Sequence, residues 1–178
     1  MVCTQFDTKI KILRTDNGTE YLNHTFDAYL ESYGIVHQTS CPYTSAQNGV
    51  AERKNRHLLE VARSLMFTMN LPKTYWGDAV LVAAYLINRM PLKTLNFKSP
   101  LEILTGRTRF VVPPKVFGCV CFVHTKNAGK LEPRALKCVF IGYSPTKKGY
   151  KCYHPPSRKF FVSMDVTFRE SEPYYQTT

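Results

Sequence analysis

The spacing of apolar residues changes period near residue 105, and that change limits the fold more than any single motif. Upstream, Leu58, Val61, Ala62, Leu65, Met66 and Met69 recur at i, i+3, i+4 and i+7, the stripe of an amphipathic helix. This predicts a helix over residues 50–69, and a second over residues 75–90, burying Val80, Ala83, Ala84 and Ile87 and stopping before Pro91. Ser99-Pro100 opens a third, short helix, with serine as N-cap and proline in the first helical position. Downstream come short apolar runs separated by Gly129, Pro145, Gly149 and Pro155-Pro156: residues 116–124, 135–143, 149–154 and 159–168. Close-set short strands of this kind predict a small barrel or sandwich. The first 49 residues mix both patterns. Residues 9–15 and 35–39 read as strands, and between them a helix is expected from an N-cap at Thr25 through Ser32, ending at Gly34. Residues 40–49 read as a polar loop.

Composition narrows the class. The chain is 44% apolar and 21% charged, which is globular rather than disordered. No apolar run approaches the roughly 20 residues that span a bilayer, so no membrane partner is expected, and residues 1–16 lack a signal-peptide core. Six cysteines without a Cys-x-x-Cys pair point to a reduced, intracellular protein. Cys119 and Cys121 alternate along one strand and read as small buried apolar groups. A zinc site with His124 or His154 would lack the usual ligand spacing. The net charge of +11 is unevenly placed. Residues 1–104 carry 11 Lys/Arg against 9 Asp/Glu, whereas residues 105–178 carry 13 against 4. A field of one sign over a small module favours a polyanion.

Two carboxylates stand out. Asp16 closes the first strand, in Arg14-Thr15-Asp16-Asn17-Gly18-Thr19-Glu20-Tyr21. Glu52 follows after 35 intervening residues, in Gln47-Asn48-Gly49-Val50-Ala51-Glu52-Arg53-Lys54-Asn55-Arg56, at the charged end of the long helix. Carboxylates are hard oxygen ligands for Mg²⁺ or Mn²⁺, and a pair of them beside cations suits metal-assisted phosphoryl transfer on nucleic acid. Arg53, Lys54 and Arg56 stand where phosphates would approach. Lys147, Lys148, Lys151, Arg158 and Lys159, interleaved with Tyr150, Tyr153 and Phe160, are the phosphate candidates downstream. Core packing is the expected role of most of these aromatics.

Taken together, these segments resemble the integrase of copia-type LTR retrotransposons. So do Cys41-Pro42-Tyr43-Thr44, Trp76-Gly77-Asp78-Ala79, Tyr85-Leu86-Ile87-Asn88-Arg89, Ser99-Pro100, Phe117-Gly118-Cys119, Phe140-Ile141-Gly142-Tyr143-Ser144 and Asp165-Val166-Thr167-Phe168. The resemblance covers nearly the whole chain. It implies an α/β ribonuclease-H-like catalytic core over residues 1–104, a linker over 105–114, a basic SH3-like β module over 115–170 and a tail over 171–178. It also implies a D,D-35-E site in which Asp16 matches the second Asp and Glu52 the Glu, as catalytic residues and metal ligands. The family's first Asp has no counterpart on a separate strand ahead of Asp16; Asp7 is the one earlier acid. The core is therefore expected to lack its first strands, leaving the helix face at Leu58, Leu65 and Met66 uncovered, and to be catalytically incomplete alone. The implied function is DNA integration by 3′-end processing and strand transfer, with element ends and target DNA as partners, RNA as a further candidate, homo-oligomers in the full-length family and a nuclear location. The alternatives are a non-enzymatic nucleic-acid-binding module and a non-functional transposon remnant.

Overall fold

A computed structural model describes residues 8–42, 44–106, 112–125 and 133–176. Most of the expected linker, at 107–111, and Asp7 lie outside the described residues. The chain divides into two compact units, residues 1–56 and 57–178, and the division falls inside one helix.

The first unit is α/β. Strand β1 (Ile12–Thr15) pairs in parallel with β2 (Val36–Thr39), in register from Ile12↔Val36 to Thr15↔Thr39. Parallel strands need a crossover, and helix α1 (His24–Ser32) supplies it. The α1 N-cap is Asn23, not Thr25: its side chain accepts from the Phe26 N–H at 2.9 Å. Asparagine ranks above threonine as an N-cap, so the helix starts earlier than expected. Gly34 adopts φ +64°, the left-handed stop. Parallel sheets ordinarily have both faces covered, yet the register partners Ile12 and Val36 are 53% and 57% exposed. The loop after β2 contains a short 3₁₀ turn (Ser45–Asn48), which leads into α2 (Gly49–Thr68).

In the second unit the rest of α2 is followed by α3 (Trp76–Ile87) and α4 (Pro100–Thr105). The α4 start is a full capping box: Ser99 Oγ accepts from the Glu102 N–H, and the Glu102 carboxylate accepts from the Ser99 N–H. Five antiparallel strands follow, β3 (Cys119–His124), β4 (Ala135–Tyr143), β5 (Tyr150–His154), β6 (Lys159–Ser163) and β7 (Val166–Pro173), in the spatial order β6-β5-β4-β3-β7. The single strand expected over 159–168 is two strands, broken where Ser163 Oγ accepts from the Asp165 N–H. That break dictates the shape. β6 and β7 sit at opposite edges of the sheet, yet Met164 and Asp165 alone join them. Three peptide steps reach about 10 Å. Four flat strand spacings would separate the edges by about 19 Å. The sheet must therefore coil towards closure, which makes it barrel-like. β7 continues to Pro173, past residue 170 where a tail was expected, and Tyr174 and Tyr175 pack on the core.

The core lies between this sheet and the helices of the same unit. Phe117, Cys119, Val120, Cys121, Cys138, Val139, Phe140, Ile141 and Cys152 are essentially fully buried. Leu58, Leu65 and Met66, expected to lie uncovered, are partly buried against this core. Helix α3 buries Ala79, Val82 and Ala83, while Val80, Ala84 and Ile87 are only partly covered. Its apolar residues surround the helix, so periodicity could not single out the packed face. Val82 meets β4 at Gly142, where the β4–β5 register shifts; a Cβ there would lie 3.1 Å from Val82 Cγ2.

Gly118 is the tightest point. Its φ is +86°, and a Cβ would lie 1.8 Å from Leu71 Cδ1 and 2.8 Å from Met69 Cβ. Gly118→Ala combines backbone strain with overpacking, together about 3 kcal/mol. The urea midpoint, followed by near-ultraviolet circular dichroism of the buried tyrosines, should fall by about 1–2 M.

Candidate metal and nucleic-acid sites

The first-unit site is built where the two parallel strands end. Thr15 and Ser40 are the buried polar residues of the described chain. The Ser40 N–H donates to the Thr15 carbonyl at 3.1 Å, and its hydroxyl donates to the same oxygen at 3.3 Å. The Thr15 hydroxyl donates to the Asp16 carbonyl at 3.0 Å and lies 2.9 Å from His37 Nε2. These bonds hold Ser40, the first residue beyond β2, against the end of β1, where Asp16 is the first residue beyond the strand. Clefts at the carboxyl ends of parallel strands are the usual ligand sites of open α/β sheets.

Asp16 and Glu52 line one open cavity of about 370 Å³, together with Asn17, Ser40, Cys41, Thr44 and Asn48. The Gly18 N–H donates to Asp16 Oδ1 at 3.1 Å, an Asx turn that orients the carboxylate. The loop that brings α2 to this cavity is pinned by Gln47, whose Oε1 accepts from the Cys41 N–H at 2.9 Å. Neither Asp16 nor Glu52 is consumed by an ion pair among the described residues. Two carboxylates with hydroxyl and amide oxygens nearby match a hard cation that keeps several waters. Among the described residues no group of three or more His, Cys, Asp or Glu side chains is placed to hold a metal ion, although the exposed Cys41 lines the same cavity. Arg53, Lys54 and Arg56 follow Glu52 on the exposed first turns of α2.

Sequence reasoning missed the supporting groups. Gln47 reads as part of a loop, and Thr15, His37 and Ser40 carry no signal beyond polarity at strand ends. The Thr15–His37 and Ser40–Thr15 bonds join residues 22 and 25 positions apart.

The downstream cations divide. Lys147, Lys148, Arg158 and Lys159 are exposed. Lys151 is ion-paired: its Nζ donates to Asp78 Oδ1 on α3 at 2.8 Å and lies 5.1 Å from the Phe160 ring centre. Of the interleaved aromatics, Tyr150 is buried in a cluster with Phe140 and Phe168, Tyr153 is half-buried, and Phe160 is 59% exposed.

The sulfur groups are structural. Cys119, Cys121, Cys138 and Cys152 are free thiols with no exposure. Burial pushes Cys119 and Cys138 up to about 12. A hydrogen bond with Cys152, and then burial, raises Cys121. His124 pairs with Asp165 and Thr167, and His154 with Ser157, so neither histidine is joined to these thiols.

Residues 119–178 match the family model described as retroviral polymerase SH3-like domain. The chain is 43% identical over 166 residues to the retrovirus-related Pol polyprotein from transposon TNT 1-94 of Nicotiana tabacum, covering 92% of this chain and 12% of that protein. It is 40% identical over 180 residues to the corresponding polyprotein from transposon RE2 of Arabidopsis thaliana, covering 100% of this chain and 12% of that protein. Among solved structures, the HTLV-2 integrase catalytic core domain in complex with magnesium has a TM-score of 0.45 at 22% identity, covering 58% of this chain and 62% of that one. The simian T-cell lymphotropic virus intasome in complex with PP2A regulatory subunit B56 gamma has a TM-score of 0.47 at 19% identity, covering 89% and 57%. The C-terminal β module is thus a retroviral-type SH3-like domain. The chain as a whole is related to a segment of retrovirus-related Pol polyproteins from plant transposons, and it spans about an eighth of their length.

The thiol environment makes a prediction. With iodoacetamide at pH 8 and peptide mapping, Cys41 should react while Cys119, Cys121, Cys138 and Cys152 stay unmodified until the chain is unfolded. The ordinary thiol value lies near 9, and the folded values of Cys119 and Cys138 are higher, so between these limits the folded state holds more protons than the unfolded one. Their stabilisation is complete below pH 9 and is lost as pH rises towards 12. Urea midpoints measured across that window should decline.

Proposed function

We propose that this chain works in DNA integration as the segment of a retrotransposon Pol polyprotein that carries two acids of an integrase metal site and the SH3-like module. The observation that carries this reading is the convergence of Asp16 and Glu52 on one cavity at the carboxyl end of β1 and β2. The identity to transposon Pol polyproteins across nearly the whole chain supports it.

In this reading Asp16 and Glu52 hold Mg²⁺ or Mn²⁺. When bound, the ion supplies Lewis-acid polarisation of a phosphodiester and activation of the attacking oxygen. The chain's own groups do the positioning. The Asx turn at Gly18 aims Asp16, and the Thr15–Ser40 pairing and Gln47 fix the walls of the cavity. Arg53, Lys54 and Arg56 draw the phosphate backbone towards the carboxylates without reading sequence. Arg158 and Lys159, at the turn into β6, add a separate basic contact on the second unit. Two carboxylates alone support weak, water-rich metal binding and little turnover, so binding is the informative readout.

Mn²⁺ binding by the 178-residue chain, read by water proton relaxation enhancement, should weaken at least tenfold in either Asp16→Asn or Glu52→Gln, with circular dichroism unchanged. Retention of wild-type binding in both variants would end the metal-site reading.

Duplex binding should weaken steeply with salt. Replacing Arg53, Lys54 and Arg56 together by Gln should lower the slope of log affinity against log salt by about 2–3, the amount expected for three phosphate contacts. An unchanged slope in fluorescence anisotropy would remove these residues from the interface.

A further inference from the structure

A groove of about 740 Å³ in the second unit runs between α3 and strands β4, β5 and β6. Its chemistry is mixed in a particular way. The rim carries exposed apolar side chains, Leu81 from α3 (70% exposed) and Phe160 and Val162 from β6 (59% and 41%). One end is cationic. Lys147 and Lys148 stand on the β4–β5 turn, which Ser144 holds by accepting from the Lys147 N–H at 3.1 Å, and neither lysine has a carboxylate partner among the described residues. Arg89 also lines the groove, and its Nε is buried without a hydrogen-bond partner among the described residues.

Nucleic acid is a poor match for this surface. Tyr85 offers no free face on which a base could stack, because one face carries the Arg89 guanidinium at 3.7 Å and Tyr143 stacks against the ring at 3.8 Å; Phe160 is the exposed ring of the lining. Aliphatic and aromatic groups beneath a cationic rim instead suit a ligand that buries apolar side chains and presents carboxylates. In addition, β6 is an edge of the five-stranded sheet, so its outer backbone N–H and C=O groups can pair with an added strand.

We propose that this groove binds an extended acidic and apolar peptide segment of a partner protein. The segment adds to the β6 edge, places its apolar side chains against Leu81, Phe160 and Val162, and sets its carboxylates against Lys147 and Lys148. This assigns those two lysines to a protein contact instead of DNA, and it does not depend on the metal-site reading.

The test is fluorescence anisotropy of the 178-residue chain with a labelled, capped heptapeptide alternating glutamate with leucine and phenylalanine. Leu81→Asp, and separately Lys147→Glu with Lys148→Glu, should each weaken binding at least tenfold. Lys93→Glu with Lys98→Glu, the same charge change on exposed positions outside the groove, should leave it within twofold. Leu81 is largely exposed, so its replacement leaves the core intact, and circular dichroism verifies this. Three results would overturn the proposal: no saturable binding, equal losses in the Lys93/Lys98 variant, or displacement of the peptide by a 20-base-pair duplex with the same sensitivity to the groove variants.

Discussion

The candidate metal site depends on one local constraint, the parallel pairing of β1 and β2 carried one residue beyond the strands by Ser40 on the Thr15 carbonyl. A parallel register slip of one residue would send every side chain to the other face. Burial of Thr15 and Ser40 resists such a slip, because each has polar groups whose partners exist only in this register. With that register fixed, Asp16 and Ser40 emerge together, and Gln47 ties the following loop to Cys41. Glu52, one turn into α2, is thereby directed to the same cavity. The arrangement is inexpensive in contacts: a four-residue strand pair, one helix cap and one side-chain amide.

The second unit is governed by a different constraint, the two-residue connection between strands at opposite sheet edges. It forces the sheet to coil, and the coiled interior accepts small sulfur groups where larger residues would crowd. Cys119, Cys121, Cys138 and Cys152 fill that space as polarisable apolar groups. Gly118 and Gly142 let the chain pass close to Leu71 and Val82, which is how the sheet and the helices of this unit share one core.

Much of this was legible in the sequence because it depends on period and on local chemistry. The switch of apolar spacing near residue 105 separated helices from strands, β4 fell on the expected residues, and the Ser99-Pro100 start of α4 was readable from those two residues, without the capping role of Glu102. Elsewhere the reading fell short. Asn23 displaced Thr25 as the α1 cap in a local competition between two nearby capping residues, and an all-round apolar α3 hid which side Val82 would pack. The break at Met164-Asp165 lay inside an unbroken β pattern. Lys151 looked like a free cation because Asp78, 73 residues earlier, gave no sign of being its partner. In the candidate site, the flanking residues singled out Asp16 and Glu52, which line one cavity, whereas nothing in the sequence singled out Thr15, Ser40, His37 and Gln47, since their contacts exist only once the strands are paired.

The central claim is that the carboxylates of Asp16 and Glu52 face a common cation. Crystals of the 178-residue chain soaked in Mn²⁺ would test it directly through anomalous difference density. The account predicts one peak in the cavity between β1, β2 and the start of α2, within about 2.5 Å of an oxygen of each side chain. Manganese bound elsewhere, with the two carboxylates turned to separate solvent faces, would contradict it.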